Sequence, residues 1–356
     1  MIRTERQAFV FLAPFLIAYG LFLFYPMLKG FWISLHDWHL LRVAMNPDAV
    51  EFVGFRNYER ILWGRDMEWS AVQKPWWQGG LVALAALLAY RGAKHAHDRT
   101  LYWFLAAVAL VAAFVIGWAP GEDGRWYNRQ FWPRVGNTLF LVAWIVPLVT
   151  AVALVLAVLL NRQTLAAAVF RTIFFVSTVL SVTVVTLIWK LALSPNQGLV
   201  SGIFERFGLE PIAWLTTEGF ADAGIIMATV WWGTGISMML FLAALQDISD
   251  EIYDAARLDD IGPVRTFFYI TLPNLRHAIV LVMVLAVIAH FQIFGQVRLM
   301  TDGGPVETTE SLVVLIYDTG FQENKLGRAT AMSTVLLMFI TLFSILQVLI
   351  VRGQRD

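Results

Sequence analysis

Residues 251–274 read EIYDAARLDDIGPVRTFFYITLPN, an island of charge in a strongly apolar chain. The stretch lies between the hydrophobic runs 224–245 and 278–299, so it joins two segments of membrane-crossing length. Ser249 just ahead is placed to cap a helix. Asp250, Glu251 and Asp254 load its first turns with acid, which complements the helix dipole. Ile252, Ala255, Ala256 and Asp259 fall at helical spacing, and the small pair Ala255-Ala256 leaves room for close approach by another protein surface. Gly262-Pro263 stops this helix and starts the next. Val264, Phe267, Phe268 and Ile270 give the second piece an apolar side, and Leu272-Pro273 marks the bend into the following span. By periodicity alone, two amphipathic pieces lying on a membrane surface fit equally well.

Composition sets the class. The chain is 58% hydrophobic, 14% aromatic and 15% charged, with mean hydropathy +0.65. An average soluble domain carries about 25% charged residues. The formal net charge is zero, which implies no nucleic-acid surface. Cysteine is absent, which excludes disulfides, thiolate metal sites and thiol catalysis.

About eight apolar runs approach membrane length. They are 8–28, 76–90, 101–119, 137–160, 171–193, 224–245, 278–299 and 329–351, and 76–90 is the weakest. The first is not expected to be a cleavable signal, because it contains Pro14 and Pro26 and no small-x-small site follows. Orientation follows from Lys and Arg beside short loops. With the N-terminus inside, the inner segments hold Arg3, Arg6, Arg91, Lys94, Arg99, Arg162, Arg171, Arg257, Arg265, Arg276, Arg352 and Arg355. The outer segments hold most of the acids, among them Asp48, Glu51, Glu122, Asp123, Glu205, Glu210, Asp302, Glu307 and Glu310. Both termini and 251–274 are therefore expected in the cytoplasm.

The loop resembles the coupling segment of binding-protein-dependent ABC transporter permeases. That family carries a Glu-Ala-Ala element, a Gly three to four residues later and an Ile-x-Leu-Pro close. Asp254-Ala255-Ala256 stands for the first and Ile270-Thr271-Leu272-Pro273 for the last. Asp260 occupies the usual Gly position, with Gly262 two residues on. Other stretches are similar in the same order: Tyr25-Pro26, SLHDW at 34–38, FVGFRNY at 52–58, Asn137-Thr138, Phe170-Arg171-Thr172, Ile188-Trp189 and SPNQG at 194–198. FQIF at 291–294, MTDGGP at 300–305, TESL at 309–312 and Ile316-Tyr317 resemble the carbohydrate-uptake branch, the maltose and glycerol-phosphate permeases. No one of these short motifs is specific; their order and spacing are.

The resemblance implies an all-α polytopic bundle, a six-span type I importer core with an inserted two-helix hairpin. The expected divisions are 1–63, an N-terminal span with its outer segment; 64–134, the inserted hairpin; and 135–356, the core, with its coupling loop at 246–277. It further implies a transport subunit of the cell membrane that takes a sugar or related polyol solute from an extracytoplasmic solute-binding protein. A second permease subunit and two ATPase subunits complete the assembly. Glu251, Tyr253, Asp254, Ala255, Ala256, Asp259, Gly262, Leu272 and Pro273 are the candidate ATPase contacts. No cofactor is expected in this chain; ATP and Mg would be bound by the partner ATPase.

The inserted segment carries the basic turn RGAKHAHDR at 91–99. His95 and His97 have no third ligand nearby in sequence, so the turn reads as solvated rather than metal-binding. Trp76, Trp77, Trp126 and Trp132 read as interfacial anchors.

The chain has no GxxxxGK[ST] phosphate loop, no HExxH and no GxSxG. Polar and aromatic groups inside spans are the candidate substrate path. One cluster is His290, Phe291, Gln292, Phe294 and Gln296; on one continuous helix Gln292 and Gln296 would share a face. A second is Trp231, Trp232 and Ser237, with Thr234 and Met238 nearby. Amides, hydroxyls and aromatic faces are what a sugar needs, yet each of these groups could equally pair with a neighbouring helix. The main alternative from another class is a stand-alone secondary transporter, which usually shows pseudo-symmetric halves; no convincing repeat is visible. A membrane-embedded enzyme would need a nucleophile, metal set or acid–base pair within the spans, and none is apparent.

Overall fold

The structure is a computed structural model of the chain. It describes residues 12–64, 69–71, 75–94, 99–116, 118–120 and 128–352. His95, His97, Glu122, Asp123 and Trp126 lie outside the described residues, as do Arg3, Arg6 and Arg355.

The chain is helical throughout, and strand among the described residues is confined to two-stranded pairings. In order come α1 (Leu12–Ser34), β1 (His36–Asp37), α2 (Leu40–Met45), β2 (Glu51–Phe52) and α3 (Arg56–Leu62). Then follow α4 (Pro75–Lys94), α5 (Arg99–Ile116), α6 (Phe131–Leu160), α7 (Leu165–Val179), α8 (Val182–Ala192) and α9 (Leu199–Arg206). The remainder is α10 (Phe220–Gln246), α11 (Asp250–Leu258), α12 (Pro263–Asn274), α13 (Arg276–Phe291), α14 (Gly295–Met300), α15 (Leu312–Gln322) and α16 (Leu326–Arg352).

Four helices are long and apolar enough to cross a membrane: α1, α6, α10 and α16. Two bent pairs pass the same test only when taken together, α7 with α8 at 107° and α12 with α13 at 66°, and the count among the described residues is six when each pair is taken as one broken span. On that count six of the eight apolar runs are accounted for as crossings. The other two form α4 and α5, which pack along each other. Neither meets the length and hydropathy of a crossing by itself among the described residues.

Two of the runs differ from a single straight span. The run 171–193 turns sharply at Leu180–Ser181, where Leu180 is extended at ψ 141° and Ser181 caps the next helix by accepting from Val184 N. The run 278–299 is helical only to Phe291, and a second short helix starts at Gly295. Gln292 and Gln296 therefore sit on either side of a break, not on one helical face.

The chain divides into two compact units. One comprises 1–69, 120–132 and 315–338. Within it β1 and β2 pair antiparallel, His36 with Phe52 and Asp37 with Glu51. Asn57 is buried and donates from Nδ2 to the carbonyls of Ser34 and His36, both at 2.9 Å. The Ser34 hydroxyl lies 2.6 Å from that of Tyr58. The start of α16 closes on the same knot, with Gly327 N donating to Trp38 O at 3.1 Å. A Cβ on Gly327 would lie 2.2 Å from His36 O, so no larger residue fits without moving backbone. This accounts physically for the SLHDW and FVGFRNY stretches: they build a turn that the last span must meet edge-on.

The other unit comprises 70–119, 133–314 and 339–356. Its centre is α10, half of whose most apolar window is buried, against none of the corresponding window of α1. Two buried clusters lie along α6 and α10. One gathers Leu141, Ile145, Val149, Ile225, Ala228, Ile293 and Val297; the other gathers Ala153, Ala157, Met238, Phe241, Leu242 and Leu275. Between them α10 carries Gly233, Thr234 and Gly235. A Cβ on Gly235 would sit 2.4 Å from Phe174 O, so the glycine lets α7 approach at backbone distance, a common device of membrane helix packing. Burial of these apolar side chains against each other supplies close packing rather than escape from water, since lipid is as apolar as leucine.

Candidate translocation path and coupling loop

The two helix breaks meet. A Cβ on Gly295 would lie 2.6 Å from Val182 Cγ2, and α8 packs on α14. Broken backbone at membrane depth needs partners for its freed polar groups. Side chains provide them. Trp232 Nε1 donates to Leu180 O at 3.2 Å, and buried Ser311 donates from Oγ to Ile293 O at 2.7 Å. Ser177 adds a 3.4 Å bond to Trp231 O. The indole N–H of Trp232 is thus engaged in holding the first break open.

The two candidate clusters lie on helices that pack together, α10 against α13 and α14. His290 is half-buried beside Gly233, whose Cβ position is 3.9 Å from His290 Nε2. Phe291 is buried, Phe294 half-buried and Gln296 buried, whereas Gln292 at the break is exposed. Trp231 and Trp232 are both half-buried but point to different surroundings. Trp231 meets Trp189 edge-on at 6.2 Å and lines a cavity of about 300 Å3 with Phe174, Met227 and Thr234. That cavity is almost wholly apolar. The Thr234 hydroxyl already donates to Val230 O, and the buried Ser237 hydroxyl donates to Gly233 O. Each has its one donor engaged and can still accept, whereas the exposed amide at the break, Gln292, has both donor and acceptor to offer a polyol.

Ser249 caps α11 as its position predicts, accepting from Glu251 N at 3.3 Å. The helix ends in a Schellman motif: Ile261 N donates to Ala256 O at 3.0 Å and Asp260 N to Arg257 O at 3.1 Å. This motif wants a left-handed residue, and Asp260 adopts φ 53°. The departure from glycine therefore leaves the turn unchanged, because a short polar side chain tolerates that region. Gly262 caps the start of α12 in extended conformation. Asp260→Gly is expected to stabilise the turn by about 0.5 kcal/mol. The left-handed penalty of roughly 1–2 kcal/mol is offset by roughly 0.5–1 kcal/mol of glycine chain entropy. Amide exchange at Ile261 should slow about twofold; faster exchange would mean that the Asp260 side chain holds the turn.

The nine candidate coupling residues do not share one face. Glu251, Asp254, Ala255, Asp259, Gly262 and Pro273 are exposed, with Asp254 paired to Arg257 at 3.0 Å. Tyr253 and Leu272 are half-buried, and the Tyr253 hydroxyl lies 3.2 Å from Thr271 Oγ1. Ala256 is buried within this chain, at 4% exposure. Of the two alanines only Ala255 is exposed; the small size of Ala256 serves the packing of α11 on its own chain. Sequence reading placed Val264 on an apolar side and passed over Leu258 and Tyr269, and these three stand most proud of the loop. Leu258 is 88% exposed, Tyr269 78% and Val264 70%, a set of large apolar groups with no cover in this chain. It also passed over Arg134, buried in the first turn of α6, which donates to Glu310 at 2.8 Å and to Glu307. Asn137 Nδ2 ties the same loop through the carbonyls of Glu307 and Glu310 at 3.1 Å.

Among the described residues, four helices of crossing length, two bent helix pairs whose breaks adjoin, and a structured loop between apolar helices define a polytopic helical membrane protein. Residues 149–356 match the family described as binding-protein-dependent transport system inner membrane component, and the chain belongs to that family. It is 32% identical over 236 residues to the lactose transport system permease protein LacF of Rhizobium radiobacter, covering 65% of this chain and 79% of that one. It is 33% identical over 180 residues to the probable ABC transporter permease protein YurN of Bacillus subtilis (strain 168), covering 50% of this chain and 62% of that one. A crystal structure of a bacterial ABC transporter involved in the import of the acidic polysaccharide alginate has the same fold. Its TM-score is 0.69 over 100% of this chain and 98% of that one, at 17% identity.

Proposed function

We propose that this chain carries a sugar or related polyol across the cell membrane, after delivery by an extracytoplasmic solute-binding protein. Transport is driven by two partner ATPase subunits that hold the ATP and Mg, and a second permease subunit completes the path. Kinship to a lactose permease supports the sugar class. The observation that carries the path is Gln292, a side chain exposed on this chain at a break in a membrane span. An amide facing lipid without a hydrogen bond costs at least about 1 kcal/mol, so the site faces water, solute or the second permease. His290, Phe291, Phe294 and Gln296 frame it from the same segment. Trp231, Trp232 and Ser237 are the further candidates, on α10, which packs against α13 and α14. Gln292→Ala is expected to lower uptake about fivefold, the worth of roughly one neutral hydrogen bond, with assembly and basal ATPase activity unchanged. Loss of assembly would instead make Gln292 a helix-pairing residue. Uptake equal to wild type would move the solute contacts to the second permease.

The coupling role falls to Glu251, Tyr253, Asp254, Ala255, Asp259, Gly262, Leu272 and Pro273, now joined by Leu258, with Ala256 packing α11 on its own chain behind them. Basic residues beside the short loops support a cytoplasmic location for this loop and for both termini. The absence of cysteine makes the orientation directly testable. Asp254→Cys should react with an impermeant maleimide only from the cytoplasmic side, and Val306→Cys, at a position 90% exposed, only from outside. The reverse pattern would invert the whole chain.

A further inference from the structure

The paired helices α4 and α5 have a polarity that the transport cycle does not use. Neither contains an acid, and the basic residues of α4, Arg91 and Lys94, both lie in its last turn. The connecting stretch 91–99 carries Arg91, Lys94 and Arg99 against Asp98 alone. At the opposite end of α4, Trp76 and Trp77 are 90% and 69% exposed. Between the ends, Val82, Leu84 and Leu87 on α4 and Trp103, Val108 and Val111 on α5 are exposed. Aromatic residues at one end, cations with tyrosines at the other and exposed apolar surface between them are the pattern of helices that lie against lipid. At the basic end a cavity of about 380 Å3 is lined by Leu87, Tyr90, Arg91, Lys94 and Tyr102. Lys94 Nζ sits 3.3 Å from the Tyr90 hydroxyl and 5.4 Å from its ring centroid, so the tyrosine orients the ammonium at the cavity wall.

We propose that this cavity binds the phosphate headgroup of an anionic phospholipid, with the acyl chains lying along the exposed aliphatic surface of α4 and α5. The occupant follows from the chemistry. Among the described residues the lining has two cations and no carboxylate, which selects an anion, Tyr90 and Tyr102 supply hydroxyls at headgroup level, and Leu87 at the inner edge continues into the apolar surface, which a free ion would leave bare. The site rests on the membrane location of the chain and not on its solute or its coupling partners.

The test is native mass spectrometry of the purified full-length protein titrated with phosphatidylglycerol, and with phosphatidylcholine for comparison. Wild type should retain phosphatidylglycerol preferentially. The double variant Arg91→Gln/Lys94→Gln should bind it about 30-fold more weakly, since each basic residue near an anionic surface is worth about 1 kcal/mol. The charge-preserving variant Arg91→Lys/Lys94→Arg should retain it, which separates loss of charge from loss of fold. Equal retention of the two lipids by wild type, or undiminished phosphatidylglycerol binding by the double glutamine variant, would overturn the proposal. Displacement of phosphatidylglycerol by inorganic phosphate at matched concentration would overturn it too, and would leave a soluble-anion site in its place.

Discussion

Arg134→Met should destabilise the protein by about 3–5 kcal/mol, the usual consequence of removing one member of a buried ion pair. The Arg134 side chain is 8% exposed and that of Glu310 12%, and the pair meets at 2.6 Å. Glu307 joins the same guanidinium from a position 70% exposed, so screening by water makes it the weaker partner. Deleting the arginine removes the buried cation that the Glu310 carboxylate faces where water cannot reach it freely. The loop 301–311 should then come loose. It holds Thr309 Oγ1 against Gly304 O and, through Ser311, the carbonyl of Ile293 at the helix break. Thermal unfolding in detergent reads the stability, and hydrogen exchange at Leu312, whose N–H is bound by Thr138, reads the loop. The double variant Arg134→Met/Glu310→Gln should recover most of the loss, because it removes the carboxylate charge as well. A single variant as stable as wild type would mean that the buried pair contributes nothing net.

Leu258→Asp should abolish transport while leaving the membrane protein at its normal level. Leu258 touches almost nothing in its own chain, so the fold should not register the change. Docked against an ATPase, the same position would bury an unpaired carboxylate, which costs several kcal/mol at a packed interface. Uptake should fall by at least about a hundredfold if roughly 3 kcal/mol of docking is lost. Ala256→Glu offers the informative contrast. Buried inside its own chain, it should lower both transport and the amount of folded protein. Co-purification with the ATPase, measured beside uptake, separates the two variants. Normal uptake by Leu258→Asp would place the docking surface elsewhere on the loop.

How far sequence reading reaches is clearest at the coupling loop. Helix start, helix stop and restart are local matters, decided by Ser249, Asp250 and Gly262-Pro263 within a few residues of where they act. Which residue of the Ala255-Ala256 pair faces inward is not local, because helical spacing gives both a place near the same edge. The packing of α11 on the rest of the chain chose Ala256. At Asp260 the two levels agree by different means: the turn needs a left-handed residue, and aspartate adopts the conformation that the pattern reserves for glycine.

The spans follow the same division. Apolar runs of about 20 residues must cross or lie in a membrane because their transfer out of it is costly, and this holds without knowledge of any contact. The all-helical class was accordingly legible as hydropathy, which counted eight runs where the described residues give four long apolar helices and two bent pairs. The breaks at Leu180 and at Gln292–Phe294 were not, because hydropathy averages over the few residues that matter there. A break persists only when distant side chains satisfy the freed carbonyls. Trp232 for Leu180 and Ser311 for Ile293 are 52 and 18 residues away in sequence. Gly235, Gly295 and Gly327 belong to the same class, each silent in composition and each demanded by a neighbouring backbone or side chain at under 3 Å. The class of the chain and its loop follow from transfer energies and helix-end chemistry, which act residue by residue. The geometry of the path was decided by tertiary contacts, because in a bilayer an unsatisfied backbone group costs too much to leave its partner to chance.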